Sequence, residues 1–264
     1  MNEEGKDMEG QDAGHVVEAQ AAATVLSQQI NRDMSSQQSK VDERAGHLLN
    51  AQANAAALFA DIGRDLIRPH VTEKQLCDEI HKHATERYGV RTWNKRIVRS
   101  GPNTLLPYTE HAPDRRIQED DIVFVNIGVV FNEFEADYGR TFVLGDDPTK
   151  AKLRDSLEPV WEGLKAQFDD DATITGDELY MMARQAAKIA GYTFGSNQAG
   201  HLVGLLPQES IPRNKISMSI TPNSGCMYQP DKDGKERHWV LQIHLVDREN
   251  KIGAFMEQLM EYAS

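Results

Sequence analysis

Cysteine is scarce in this sequence, and the chain lacks the patterns by which cysteine usually builds a structure or a redox centre. Only Cys77 and Cys226 occur among 264 residues, which is too few for a disulfide framework or a cysteine-rich zinc cluster. The sequence also contains no CxxC pair, no glycine-rich phosphate loop and no GxSxG elbow. We therefore expect the two thiols to be unreactive and the protein to lie in a reducing compartment.

Long apolar runs and an excess of basic residues are also missing. No stretch approaches the ~20 apolar residues that a membrane span needs, and the acidic N-terminus lacks the apolar core of a secretory signal. The net charge of -12 disfavours nucleic-acid binding, which needs a basic face, and docking on anionic membranes. We therefore expect a cytoplasmic protein that binds neither nucleic acid nor membrane.

The composition changes at about residue 40. Residues 1–40 are rich in Gln, Ser, Asp, Glu and Ala, and such a segment buries too little apolar surface to offset the entropy of ordering it. We predict a flexible N-terminal arm there and one folded domain over residues 41–264. The run AAATVLSQQI within the arm could form a short helix that docks on a second copy of the chain, so a homodimer is one possible state.

Helices are predicted along the domain by periodicity and by capping residues. Apolar residues recur at steps of three and four from Leu48 to Leu66, and Pro69 ends that run. Capping-box pairs predict two further helices. In a capping box the residue just before the helix and the third residue of the helix each bond the other's backbone N–H through their side chains. These pairs are Thr72 with Gln75 and Thr175 with Glu178. Another helix is predicted in the segment DPTKAKLRDSLEPVWEGLKAQF, with a kink at Pro159.

Strand-like segments are interleaved with these helices. DIVFVNIGVVF is apolar on both faces except for Asn126, which is typical of a buried strand that carries one polar group into a site. EADYGRTFVLG is predicted to pair with it, and HWVLQIHLVD is a later strand. In that later strand Gln242 and His244 alternate, so both side chains should face the same side.

Several phrases in this order resemble the creatinase/methionine-aminopeptidase family, which includes Xaa-Pro peptidases. They are DIVFVNIG, EADYGRTFVLG, GHLVG, and the closing pair WVLQIH and GAFMEQL. The resemblance extends from about residue 41 to the C-terminus, and DYGRTF is its most specific element. It implies an α/β (α+β) pita-bread fold, in which a curved, mostly antiparallel sheet is covered by helices.

In this family five side chains hold two divalent metals, which acidify a bound water and polarise the scissile carbonyl. Carried over by the motifs, Asp137, His201 and Glu257 match three of the five ligands. Asn126 stands where the first Asp is expected, and Gln242 stands where the first late Glu is expected. Asn94 and Gln208 occupy positions where enzymes of this type carry active-site histidines.

The resemblance therefore implies a metal site that has lost part of its charge. Asn and Gln are uncharged, each offers only one oxygen ligand, and their amide nitrogens donate. A stable two-metal centre and ordinary peptidase activity are not expected. We expect no cofactor, or, as the alternative, one divalent ion such as Mn, Fe or Zn held by Asp137, His201 and Glu257.

Three functions remain open, and the first is favoured. A metal-independent enzyme of the isomerase or cyclase type would act on a small nitrogenous metabolite, with Glu257 or Asp137 as base and His201 or His244 as acid. A mononuclear metallohydrolase of C–N bonds and a non-catalytic ligand- or protein-binding module are the alternatives. In all three a small-molecule or peptidic ligand is the expected partner. The predicted binding residues are Trp93, Asn94, Asn126, Arg140, Gln208 and Gln242.

Overall fold

The computed structural model describes residues 43–107, 109–203, 218–230, 234 and 236–260, with only the backbone described at residues 92–95. The contacts divide the chain into two units between Ala45 and Gly46. The predicted arm over residues 1–40 lies outside the described residues and stays a prediction. Everything below concerns the described part of the unit that begins at Gly46.

The predicted helices form, and their ends follow the capping residues. Residues 43–61 are helical, and the part of this helix from Gly46 onward is α1 of this unit; it continues into one π-helical turn at Ile62–Leu66 before Pro69. Helix α2, Glu73–Tyr88, and helix α5, Gly176–Ile189, both begin with complete capping boxes, and α2 ends at Gly89 in the left-handed conformation. Among the described helices none is both long enough and apolar enough to cross a membrane.

The predicted kink at Pro159 is wrong in position, because the chain breaks earlier. Helix α3, Pro148–Asp155, ends before Ser156, and helix α4 runs over Leu157–Asp170. Pro159 is the third residue of α4, where its missing N–H would have no partner inside the helix. Its ring would clash with the carbonyl four residues back, that of Asp155, and this is where α3 ends.

The described strands form one sheet in which every pairing is antiparallel. Their order is β1-β2-β3-β7-β6-β4, and β5 also pairs with β6. The family resemblance predicts this mostly antiparallel sheet with helices. The strands are β1, Arg91–Ser100; β2, Ile122–Phe131; β3, Phe134–Val143; β4, Thr193–Phe194; β5, Gly200–Val203; β6, His238–Asp247; and β7, Ile252–Met260.

The two faces of the sheet differ in what covers them. On one face, alternate residues of β2 such as Val125 and Ile127 pack with α1 and α2, and alternate residues of β6 such as Leu241 and Ile243 pack with α4 and α5. We call this the helix-covered face. The residues between them in sequence point to the other face, which we call the inner face. Hydrophobic burial on the first face leaves the inner face for polar side chains.

Candidate functional site

Four predicted site residues lie on the inner face of four neighbouring strands. Asn126 of β2 pairs with Gly139 of β3, Gly139 pairs with Glu257 of β7, and Glu257 pairs with Gln242 of β6. Directly paired residues point to the same face, and Asp137 shares that face because it lies two residues from Gly139. The register therefore brings together one aspartate, one glutamate and two amides.

His201 joins this group from the short strand β5. Its neighbour Gly200 has a φ of +148°, and a Cβ atom there would collide with the carbonyl oxygen of Val240, so glycine lets β5 lie close against β6. The His201 Nε2 atom lies 3.2 Å from the Asp137 carboxylate and 3.6 Å from that of Glu257. Asp137 is 5% exposed and Glu257 only 1%. Three residues matched to family ligands thus form one cluster, in which both carboxylates are buried and His201 is half-buried.

The hydrogen bonding of His201 indicates which of its ring nitrogens faces the two carboxylates without a hydrogen. Its Nδ1 atom lies 3.0 Å from the carbonyl oxygen of Leu202, which can only accept, so Nδ1 carries the hydrogen. A neutral ring would then present the Nε2 lone pair to two carboxylates. Lone pair and carboxylates repel one another unless a positive charge lies between them. The repulsion is relieved by a proton on Nε2 or on one of the two carboxyl groups, or by a metal cation between them.

Gln242 is fully buried and firmly held as an amide. Its Nε2 atom donates to the Ser196 hydroxyl at 2.9 Å and to the Gln198 carbonyl oxygen at 3.1 Å, while its Oε1 atom lies 3.4 Å from Gln198 Nε2. A carboxylate could not make the second of these bonds, because both groups would be acceptors. Sequence reasoning missed Ser196 and Gln198, since they lie in the connection between β4 and β5 and belong to none of the family phrases.

His244 lies on the same face of β6 as Gln242, as predicted, and its contacts are with backbone and aromatic groups. Its Nε2 atom is 2.8 Å from the carbonyl oxygen of Thr104, and its ring packs edge-on against Phe124 and Phe255. Burial lowers the pKa of the imidazole, and hydrogen bonds to the Thr104 and Gly195 backbone oppose this shift. These contacts tie His244 to the backbone. A part in catalysis stays a prediction.

Of the remaining predicted binding residues only Arg140 lies among the described side chains, and it is not part of this cluster. Arg140 lies three positions from Asp137 and so points to the helix-covered face, where it contacts Tyr138 and Gln258 and donates to the backbone oxygens of Gly139 and Glu257. Burial lowers the pKa of its guanidinium. The side chains of Trp93 and Asn94, and the whole of Gln208, lie outside the described residues, so these assignments stay predictions.

The donor set does not fit a two-metal centre. Two cations ~3.5–4 Å apart need bridging and terminal anions around them, and the inner face offers Asp137 and Glu257 as its only carboxylates at the matched positions. At the two other matched positions Asn126 is a buried amide and the Gln242 amide is engaged by Ser196 and Gln198. Within the described residues no group of three or more His, Cys, Asp and Glu side chains has the arrangement of a metal site.

Comparison with known proteins agrees with this fold. The sequence profile of Metallopeptidase family M24 matches residues 46–234. A putative Xaa-Pro aminopeptidase of Mycoplasma genitalium is 27% identical over 157 residues, which cover 57% of this chain and 44% of that protein. An Xaa-Pro dipeptidase of Pyrococcus furiosus is 33% identical over 111 residues, covering 41% of this chain and 31% of that protein. The chain spans less than half the length of these curated relatives.

Solved structures resemble the fold at low sequence identity. A dipeptidase from Pyrococcus horikoshii superposes with a TM-score of 0.65 at 21% identity, covering 84% of this chain and 61% of the other. A methionine aminopeptidase from Rickettsia prowazekii superposes with a TM-score of 0.62 at 13% identity, covering 83% of this chain and 92% of the other. These likenesses establish the pita-bread fold.

Proposed function

The chain belongs to Metallopeptidase family M24, and we propose that it is an enzyme. We propose further that this enzyme works without the paired metals. Its activity would be non-hydrolytic, of the isomerase or cyclase type, on a small nitrogenous metabolite. The observation that carries this proposal is Gln242, a fully buried amide whose two hydrogens are given to Ser196 and Gln198 at a position where the family resemblance expects an anionic ligand. A site arranged around that amide does not need a cation pair.

Proton transfer is the chemistry that the cluster then supports. A proton on His201 Nε2 would satisfy both carboxylates, which lie 3.2 and 3.6 Å away. Glu257 would accept a proton from a carbon next to the substrate nitrogen, and His201 would return one at a second position, so the substrate is rearranged without loss of atoms. Because both hydrogens of Gln242 are committed, Asn126 is the amide that would orient the substrate.

Metal analysis of protein purified without chelator tests the first half of the proposal. We expect well below one equivalent of Mn, Fe, Co or Zn per chain by mass spectrometry of the metal content. Two equivalents per chain would overturn our assignment of the Asn126 and Gln242 positions. Dialysis against a chelator is expected to leave the melting temperature unchanged, since a bound ion would stabilise the folded state by mass action.

Solvent exchange tests the second half. Cyclic imino acids incubated in D₂O are expected to gain deuterium next to nitrogen, while glycyl-proline remains uncleaved. Glu257→Gln should slow the exchange by about 10²–10⁴-fold, the usual contribution of a positioned base. Glu158→Gln, on the surface of α4, is the matched control and should leave the exchange rate unchanged. Cleavage of glycyl-proline by the unaltered chain, or exchange that is indifferent to Glu257→Gln, contradicts the proposal.

A mononuclear metallohydrolase is the second candidate; the three side chains do not form a complete metal site in the described structure, but two distances around His201 support it. Two donors about 2.1 Å from one tetrahedral ion lie about 3.4 Å apart, close to the 3.2 and 3.6 Å found here. Asp137, His201 and Glu257 would hold the ion, which would supply an acidified water for hydrolysis. One equivalent of metal, lost in His201→Ala together with C–N bond cleavage, would select this candidate over the first.

A further inference from the structure

A pocket of about 650 Å³ lies beside β1, the strand at one end of the sheet order. It is lined by α2 residues, by the loop over residues 109–114, and by four consecutive β1 residues, Arg96 to Arg99. Side chains alternate along a strand, so consecutive lining residues place the pocket against the strand's edge. Its volume is in the range of small-molecule sites. Its described lining includes none of the inner-face cluster residues.

Arg99 is the unusual group in this pocket. It is only 9% exposed, yet among the described residues it has no ion pair, and its one hydrogen bond runs from Nη2 to the Glu110 carbonyl oxygen at 2.7 Å. Its Nε atom is buried without a hydrogen-bond partner within that same part of the chain. Arginine stays charged in proteins, and the negative charges of Glu73 and Glu110 act on Arg99 without forming an ion pair with it among the described residues. A carboxylate in the pocket would supply the missing partner.

Two of the carboxylates that line the pocket are already occupied by neighbouring groups. Glu73 accepts from the Ser100 backbone N–H at 2.6 Å and from the Asn103 amide at 2.9 Å, and Asp114 accepts from the Lys74 backbone N–H at 3.0 Å. Burial raises the pKa of Glu73 in spite of these bonds. The charge of Glu73 acts on Arg99, but neither Glu73 nor Asp114 forms an ion pair with the guanidinium among the described residues, so its Nε–H can still donate to a ligand.

The other two lining carboxylates determine which anion would fit. Asp78 and Glu110 are exposed around the pocket, and so are the cations Lys74 and Arg96. The rim therefore carries both signs of charge and suits a molecule that also carries both better than a plain anion such as sulfate. A molecule that carries an ammonium group as well as a carboxylate satisfies both sides of the pocket. We propose that this pocket binds a small zwitterion, an amino acid or a short peptide, with its carboxylate on Arg99 and its ammonium group near Asp78 and Glu110. This inference does not depend on the activity proposed for the inner face.

Calorimetric titration of the full chain with L-alanine and L-alanyl-L-alanine tests the proposal and separates the two sources of the zwitterion. We expect one of them to bind, and we expect its C-terminal amide and its N-acetyl derivative to bind at least about tenfold more weakly, since each lacks one charge. Equal binding of the amide and the free acid would overturn the proposal. Equal binding of sodium sulfate would also overturn it, because the pocket would then be a simple anion site.

Substitutions test whether the zwitterion binds in this pocket. Arg99→Gln should weaken binding at least about tenfold, and Arg99→Lys should fall between, because lysine keeps the charge but loses the planar fork. Arg91→Gln, exposed on the same strand and outside the pocket, is the matched control. Glu257→Gln should leave this binding unchanged while it removes the inner-face exchange activity. Binding that survives Arg99→Gln, or that disappears in Glu257→Gln, would refute the assignment to this pocket.

Discussion

At the scale of single residues, the exchange of carboxylate for amide changes the direction of hydrogen bonding as well as the charge. The Gln242 amide donates to the Gln198 carbonyl oxygen at 3.1 Å, a bond that glutamate could not make. A glutamate at this position would place a buried anion against an acceptor, and such uncompensated groups cost about 1–3 kcal/mol or more. The surroundings of Gln242 are therefore adapted to an amide.

This adaptation predicts the behaviour of a chain with both carboxylates restored. Asn126→Asp combined with Gln242→Glu should lower the unfolding free energy by about 2–4 kcal/mol without metal, since it buries two further negative charges beside Asp137 and Glu257. Millimolar Mn²⁺ should recover much of that loss, because a bound ion stabilises the folded state by mass action. Urea unfolding with and without Mn²⁺ measures both effects.

The unaltered chain is the control for this experiment. We expect Mn²⁺ to change its unfolding midpoint little, because only three of the five matched positions carry family ligands. An equal Mn²⁺ response in the unaltered and the doubly substituted chain would show that Asn126 and Gln242 do not set metal affinity.

At the scale of elements, β5 depends on one glycine. Gly200 has a φ of +148°, and an added Cβ would meet the Val240 carbonyl oxygen. Gly200→Ala should therefore lower the unfolding free energy by about 2–4 kcal/mol and displace His201 from Asp137. Gly163→Ala, in helix α4 with open space around it, is the matched control and should be neutral or stabilising by up to about 1 kcal/mol. Equal unfolding midpoints for the two variants would contradict this account.

The elements themselves could largely be predicted from the sequence, because their signals are local. Thr72 with Gln75 and Thr175 with Glu178 form the predicted capping boxes within four residues of chain. The sequence prediction puts the helix break at Pro159, but the break lies before α4. A proline clashes with the carbonyl four residues before it, so the helix is interrupted upstream of the proline itself.

The site was only partly predictable, because its parts are joined by strand register and loop position. Family phrases supplied Asp137, His201 and Glu257, which the structure brings together. Nothing in the sequence marked Ser196 and Gln198 as partners of Gln242, since contacts across 44 to 46 residues leave no periodicity.

At the scale of the whole molecule, His244 joins parts of the chain that are distant in sequence. Its Nε2 atom contacts the carbonyl oxygen of Thr104, 140 residues away, and the Thr104 hydroxyl accepts from the Gly253 backbone N–H at 2.7 Å. The backbone of His244 in turn accepts from the Gly195 N–H at 2.8 Å. The turn after β1 is thereby joined to β6 by the His244 ring and to β7 by the Thr104 hydroxyl, and the His244 backbone holds the end of β4.

This arrangement makes global stability depend on pH. Burial lowers the pKa of His244 below its value of about 6.5 in the unfolded chain, so below that pH the unfolded chain binds the proton more readily and stability falls. The contribution is complete above about pH 6.5. His244→Gln should lower the unfolding free energy at pH 7.5 by about 1–3 kcal/mol and should shrink the difference between pH 7.5 and pH 5.5. Urea unfolding at both pH values measures this, with His111→Gln on the exposed loop as the control. An undiminished pH difference in His244→Gln, matching that of the control, would mean that another group governs the acid side of the stability curve.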